Sequence, residues 1–253
     1  MAAADAGAAD VVLEIGAGLG TLTATLAAPP APAAPPRRVI AVEREPDMLM
    51  VLRGELAGAG NVEIVAADAA AVDLAAVAAA AGRPLIVVGN LPYQISSALV
   101  LKLAAAGAST VARAVVMVQR EMAQRVTAAP GSKLYGRLSV AVQQRAAVRA
   151  LFQVAPGAFH PPPRVTSSVI ELRPRAEPLA PVRDPALFEA VVKEAFGTRR
   201  KMLRRALAPA LGAGVAEAAL RRAGIDGTLR AEALSIAELA RLADAVAAER
   251  HAG

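Results

Sequence analysis

The chain has 253 residues, which allows one large domain or a domain with an appendage, and it is 55% hydrophobic, much of that alanine. It has no cysteine and two histidines, His160 and His251, which rules out a disulfide framework, a thiolate metal site and a multi-histidine metal centre. A net charge of +6 and a pI near 10.4 fit a polyanionic partner, and aromatics at 2% make each Tyr and Phe informative.

Met1 to Asp10 has no basic stretch ahead of an apolar one, so no secretion signal is read there. Val11-Val12-Leu13-Glu14-Ile15 reads as a first buried strand. Gly16-Ala17-Gly18-Leu19-Gly20 follows, then a short helix from Thr21 to Ala28. Glycines let a backbone turn tightly and approach a ligand. Thr21 stands where the dinucleotide pattern G-x-G-x-x-G needs glycine, so that fingerprint is not met. Pro29 to Pro36 is an Ala/Pro-rich surface loop. Arg38 to Val42 is the second strand and ends in Glu43, an acid placed to accept hydrogen bonds from a ribose. Glu43 therefore points to an adenosine-type ligand without identifying the chemistry.

Pro46 to Leu56 is the next helix and Val62 to Val65 the third strand, running into Ala66-Ala67-Asp68-Ala69. Asp68 could accept from an adenine amine, with the Ala69 amide facing the ring; capping a helix is its competing role. Val72 to Ala81 reads as helix. The fourth strand, Leu85 to Val88, breaks at Gly89 and opens into Asn90-Leu91-Pro92-Tyr93. Open α/β sheets place their ligands at such carboxyl ends.

Asn-Leu-Pro-Tyr suits methylation of an exocyclic ring amine. The lone pair of such an amine is delocalised into the ring. It needs acceptors that hold its hydrogens and turn the lone pair toward an electrophile. The Asn90 side-chain oxygen is one candidate acceptor, and a backbone carbonyl near Leu91 or Pro92 the other. Tyr93 can stack on the base, a contact worth ~1–3 kcal/mol. The uncharged run from Pro84 to Leu101 is interrupted by Pro84, Gly89, Asn90, Pro92, Gln94, Ser96 and Ser97, so no membrane span is expected; with no cysteine in the chain, a cytoplasmic location is the default expectation.

Helices are expected over Ser96 to Ala105, Arg120 to Thr127 and Tyr135 to Gln144, and strands over Ala114 to Val118, Val148 to Val154 and Thr166 to Leu172. The proline-stiffened loop Pro156 to Arg164 leaves Phe159 as its one large side chain, a candidate second wall opposite Tyr93. A composition shift at Pro174 to Pro185 leads into helices over Phe188 to Phe196, Arg200 to Leu207, Val215 to Ala223 and Ile236 to Ala248. Arg199, Arg200, Lys201, Arg204 and Arg205 form a dense basic cluster, which fits either phosphates or a solvated helix face.

A glycine loop after strand one, acids after strands two and three, and Asn-Leu-Pro-Tyr after strand four resemble the ribosomal RNA adenine dimethyltransferase family, the KsgA type. The matching segments are E-I-G-A-G-L-G, V-I-A-V-E-R-E, A-A-D-A, G-N-L-P-Y-Q-I-S-S, Q-R-E-M-A-Q-R, P-G-S-K-L-Y-G-R-L-S-V, F-H-P-P-P-R-V-T-S-S-V, T-R-R-K-M-L-R-R-A-L and R-A-E-A-L-S. They cover nearly the whole chain from Val11.

The resemblance implies a Rossmann-like, mostly parallel seven-stranded α/β catalytic domain over residues 1–178. A small all-helical RNA-binding domain would follow over 179–253. It implies an enzyme that uses S-adenosylmethionine (SAM) to dimethylate two adjacent adenosines near the 3′ end of small-subunit rRNA. The expected partner is the 30S particle and the expected state a monomer. Gly16 and Gly18 would line the methionine end of SAM, Glu43 would hold the ribose, and Asp68 with Ala69 the adenine. Asn90 would sit between cofactor and target amine. Tyr93 and Phe159 would sandwich the flipped base, whose extrusion costs a few kcal/mol. The family usually carries a Gln-Asn-Phe-Leu segment upstream of the glycine loop; this sequence starts too close to Glu14 to include it, so a misassigned start, a fragment or a pocket open on one side is expected. The alternatives are an RNA-binding assembly factor with an incomplete pocket, and an adenine methyltransferase acting on large-subunit RNA or DNA.

Overall fold

The structure is a computed structural model that describes residues 3–198 and 200–252. Two compact units are present. One comprises the chain up to Ala123 with Ala146–Ala176, the other Gln124–Arg145 with the chain from Glu177 on.

The first unit is built on a seven-stranded sheet of β1 (Val11–Ile15), β2 (Arg38–Glu43), β3 (Val62–Ala66), β4 (Leu85–Asn90), β5 (Val111–Gln119), β6 (Ala146–Val154) and β7 (Ser167–Pro174). The order is β3-β2-β1-β4-β5-β7-β6; the first five run parallel and β7 is antiparallel to both its neighbours. All five residues of β1 are buried, as are five of the six in both β2 and β4. Such buried, mostly apolar runs are what a parallel sheet covered on both faces demands. Helices α1 (Thr21–Ala27), α2 (Pro46–Glu55), α3 (Leu74–Ala81) and α4 (Ser96–Ala105) connect these strands. Asp73 caps α3 by accepting from the Ala75 and Ala76 N–H groups, which starts that helix two residues later than the sequence pattern predicts.

The strand order reverses between β1 and β4, and this is where open sheets of this kind place ligands. The sequence expectation that β4 breaks at Gly89 is corrected. The strand continues to Asn90, and Gly89 pairs with Val116. A Cβ at Gly89 would lie 2.4 Å from the Ile15 carbonyl oxygen. Glycine is therefore required for the close approach of two strands, not for a turn.

The second unit contains the end of α5 (Arg120–Val126), then α6 (Arg137–Arg145), α7 (Pro185–Gly197), α8 (Leu203–Leu211), α9 (Ala213–Ala223) and α10 (Ile236–Ala252). Its core gathers Tyr135, Val140, Phe188, Val191, Leu203, Leu207, Leu220, Leu239 and Leu242. Tyr135 meets Phe196 edge-on, ring centroids 5.9 Å apart. Ser235 and Glu238 form a reciprocal cap at the start of α10. Residues 124–145, which the sequence reading grouped with the first domain, thus belong to the helical unit.

The helix predicted from Arg200 begins instead at Leu203. Met202 is extended, and the free N–H groups of Leu203 and Arg204 donate to the carbonyls of Leu229 (2.8 Å) and Gly227 (3.1 Å). Arg200 and Lys201 therefore precede α8 and do not lie on it.

Candidate active site

Glu43 and Asn90 end β2 and β4, and Gly16 and Asp68 follow the ends of β1 and β3, at the carboxyl edge of the parallel strands. A cleft of about 480 Å³ opens there, lined by Gly16, Glu43, Asp68, Ala69 and Pro92 from the predicted set, together with Val42, Arg44, Glu45, Ala67, Gln94 and Ile95. That volume suits a small-molecule site.

The glycine loop is fixed by the strand beside it. Gly16 and Ala17 N–H both donate to the Val42 carbonyl, at 3.0 and 3.1 Å. Gly16 and Gly18 have φ of 73° and 57°, a region in which a side chain would be strained. The loop then feeds into α1 through Gly20, where a Cβ would come within 2.7 Å of Leu52.

Glu43, 9% exposed, organises the centre of the cleft. Its Oε1 accepts from the N–H groups of Arg44 (2.8 Å) and Glu45 (2.9 Å), and its Oε2 accepts from Gly18 N–H (2.9 Å). Burial works to raise the carboxyl. The N–H groups of Glu45, Gly18 and Arg44, with the Arg44 charge, outweigh burial and hold it below the usual carboxylate range. With one N–H on Oε2, that oxygen keeps an acceptor position for a ligand hydroxyl.

Asp68 accepts from Ala70 N–H at 2.8 Å and from Arg44 Nη1 at 3.3 Å. The Ala70 N–H, aided by Arg44 and Lys102 against partial burial, lowers its carboxyl below the ordinary range. Lys102 ties the same loop down, its Nζ donating to the Ala70 (2.7 Å) and Val72 (2.5 Å) carbonyls. Arg44 reaches both Asp68 and Glu45 (3.0 Å), so it spans one side of the cleft. The sequence pattern did not single out Arg44; its only signal was a position next to Glu43.

Asn90 ends β4 with its side chain exposed, and its amide makes no hydrogen bond among the described residues. Its backbone carbonyl lies 3.5 Å from where a Cβ on Gly16 would sit, which puts the glycine loop and the end of β4 side by side. Leu91, expected as a site residue, is 1% exposed, and its N–H donates to Met117 O (3.1 Å). Its side chain belongs to the core, so its backbone alone is available. Pro92 is exposed, and its carbonyl accepts from Ile95 N–H at 3.1 Å.

Tyr93 is half-buried, with its hydroxyl 3.1 Å from Ser167 Oγ on β7 and its carbonyl accepting from Ser96 Oγ (3.0 Å). Phe159 is half-buried just after the 3-10 turn Pro156–Ala158, ahead of a cis His160–Pro161 bond. Neither aromatic lines the cleft, and they make no ring contact with each other. Of the basic cluster, Arg200, Lys201, Arg204 and Arg205 are exposed around the start of α8, while Arg199 lies outside the described residues.

The model of the family described as "Ribosomal RNA adenine dimethylase" matches residues 2–248. The chain belongs to the ribosomal RNA adenine dimethylase family. Among the relatives of this chain, the ribosomal RNA small subunit methyltransferase A of Anaeromyxobacter dehalogenans is 47% identical over 247 residues, covering 93% of this chain and 83% of the relative. The protein of that name from Pseudomonas fluorescens is 41% identical over 238 residues, covering 94% and 84%. The crystal structure of the 23S rRNA methyltransferase ErmE superposes with a TM-score of 0.68 at 28% identity, covering 97% of this chain and 94% of its own. A dimethyladenosine transferase from Plasmodium falciparum reaches 0.74 at 23% identity, covering 95% and 91%, and supports the fold.

No helix among the described residues is long and apolar enough to cross a membrane, and no group of acidic, His or Cys side chains among them is placed to hold a metal ion.

Proposed function

We propose that this chain is a SAM-dependent rRNA adenine-N6 dimethyltransferase whose substrate is two adjacent adenosines near the 3′ end of small-subunit rRNA. The observation that carries the reading is the unengaged Asn90 amide at the end of β4, beside the glycine loop and next to a cleft walled by Glu43 and Asp68. Family membership supports the reaction class, and the small-subunit names of the relatives at 40–47% identity support this substrate over a large-subunit one.

The residues present fit the cofactor. Glu43 Oε2 keeps an acceptor position for a ribose hydroxyl, Asp68 faces the cleft as an acceptor for the adenine amine, and the left-handed Gly16 leaves the loop open to the methionine end. SAM supplies an electrophilic methyl group, so no covalent enzyme intermediate is required. Asn90 Oδ1 accepts one hydrogen of the target amine, and a carbonyl at Leu91 or Pro92 the other. This pulls the amine lone pair out of conjugation and aims it along the transfer line, so rate comes from positioning. Tyr93, held at its hydroxyl by Ser167, forms one wall for the flipped adenine, and Phe159 is proposed as the other. Arg200, Lys201, Arg204 and Arg205, with Arg199, are proposed to meet the RNA backbone. The 30S particle as partner, a monomeric state and a cytoplasmic location complete the proposal.

Incubating the protein and SAM with small-subunit particles from a strain lacking the modification, then digesting the RNA for mass spectrometry, tests it. Dimethyladenosine at two adjacent positions is expected. RNA binding with neither SAM binding nor methyl transfer would leave an assembly factor instead.

A further inference from the structure

The register of the sheet carries a feature that the cleft does not use. Asn90 pairs with Met117 on β5, Met117 pairs with Val169 on β7, and Val169 pairs with Phe152 on β6. Residues paired across strands share a face of the sheet. Asn90, Met117, Val169 and Phe152 thus form one row on one face. Three inter-strand steps of about 4.8 Å put Phe152 roughly 14 Å from Asn90.

The row is open. Met117 and Val169 are part-exposed and Phe152 is 53% exposed, in a chain with four Phe, two Tyr and no Trp. Tyr93 joins the same face, because its hydroxyl rests on Ser167, two residues along β7 from Val169.

Phe152 faces this way because of a bulge. Ala150 pairs with Ile170 and Phe152 with Val169, so Leu151 is the extra residue. Without it, Leu151 would oppose Val169 and the ring would lie on the other face. Bulges re-aim side chains beside functional sites. Charge on the face agrees. Arg149 and Arg173, 67% and 54% exposed at their side chains, are both held by the buried Glu171, at 2.5 and 2.9 Å. Arg149 pairs with Glu171, and Glu171 and Arg173 share the parity of Val169 along β7, so both guanidinium groups stand on the face of the row, along one side of it.

We propose that the row Asn90–Met117–Val169–Phe152 is a track for the RNA strand adjoining the target adenosine, with Phe152 as a stacking platform for a flanking nucleotide and Arg149 and Arg173 facing its phosphates. The occupant is single-stranded RNA because the row starts at the proposed transfer point, ends in an exposed ring and has two exposed arginines along one side. At a stacked rise of about 3.4 Å, roughly four nucleotides span it. This rests on the adenosine-methylation reading of Asn90.

The test measures affinity of the full chain for unmethylated small-subunit rRNA, naked and as 30S particles, in the parent and in F152A, F152L and F152W. The ring is exposed, so thermal melting should be the same in all four. Stacking of one base is worth ~1–3 kcal/mol, so F152A should lose at least about fivefold in affinity for naked RNA. F152L should lose about as much despite its apolar bulk, and F152W should keep parental affinity. SAM affinity serves as the separate readout. Equal RNA affinity in parent and F152A, with the parent methylating that RNA, overturns the track alone. A parent that neither binds SAM nor methylates overturns the reaction beneath it. Loss on 30S particles without loss on naked RNA overturns it too, assigning the face to a ribosomal protein.

Discussion

Glu14 lies in β1, 1% exposed, with Thr23 Oγ1 donating to its Oε2 at 2.6 Å. Burial pushes its carboxyl up to about 7 from 4.5, and the Thr23 bond offsets only part of that. The raised value makes folding pH-dependent in a defined direction. Below about pH 4.5 the group is protonated in both states and contributes nothing adverse. Between pH 4.5 and 7 the unfolded chain ionises Glu14 and the folded chain does not, so stability falls as pH rises. Above about 7 the loss is complete. The shift corresponds to about 3 kcal/mol at 1.36 kcal/mol per unit. Glu14→Gln keeps an oxygen for Thr23 and removes the titration. The stability difference between variant and parent, from denaturant unfolding at pH 4.5 to 8, should change by about 3 kcal/mol in favour of the variant as pH rises. A pH-independent cost of the Gln amide shifts the whole curve but not its slope. A difference that stays flat across that range would refute the assignment.

Asn90→Ala should abolish methyl transfer while leaving SAM and RNA affinity near parental, read by single-turnover methylation and by titration; retained turnover removes Asn90 from the reaction. Glu43→Gln should weaken SAM binding by roughly tenfold or more, since a charge-assisted hydrogen bond to a ribose is lost. In the parent the lowered Glu43 and Asp68 carboxyls stay ionised as pH falls through 4.5, so SAM affinity should hold to lower pH than ordinary carboxylates allow. Gly89→Ala should destabilise by about 1–3 kcal/mol and lower the melting temperature, because its Cβ would overlap the Ile15 carbonyl. Replacing Arg200, Lys201 and Arg204 together should flatten the salt dependence of RNA binding; an unchanged slope would leave them as a solvated turn.

Strand ends were legible because unbroken apolar runs stop where a polar group must reach solvent. Glu43, Asp68 and Asn90 each follow such a run, and the structure puts them at one edge. What local pattern could not show was who shares a partner. Arg44 reads as a loop residue until β3 brings Asp68 within 3.3 Å of it. Arg200 and Lys201 read as helical because both have good helix propensity. The carbonyls of Leu229 and Gly227, about 25 residues away, fix the helix start at Leu203 instead. Gly89 looked like a breaker because a glycine ending an apolar run usually is one; its neighbour across the sheet decides otherwise. Phe152 has no motif at all, and only the bulge at Leu151 gives it a face.

The cleft separates what must stay still from what must be free. Its fixed parts are tied by backbone: Gly16 and Ala17 to Val42, and Glu43 to three N–H groups. None of these needs the ligand to hold its place, so little ordering entropy is left to offset when the cofactor binds. Asn90 is the opposite case. Its backbone is locked in β4 while its amide has no hydrogen-bond partner to give up among the described residues. An amide already bonded would have to exchange one hydrogen bond for another in reaching a substrate amine, and the gain would nearly cancel. A strand-held backbone carrying an unspent side chain therefore favours the bound adenine, and a second-site change that gave Asn90 an internal donor should slow transfer without altering the fold.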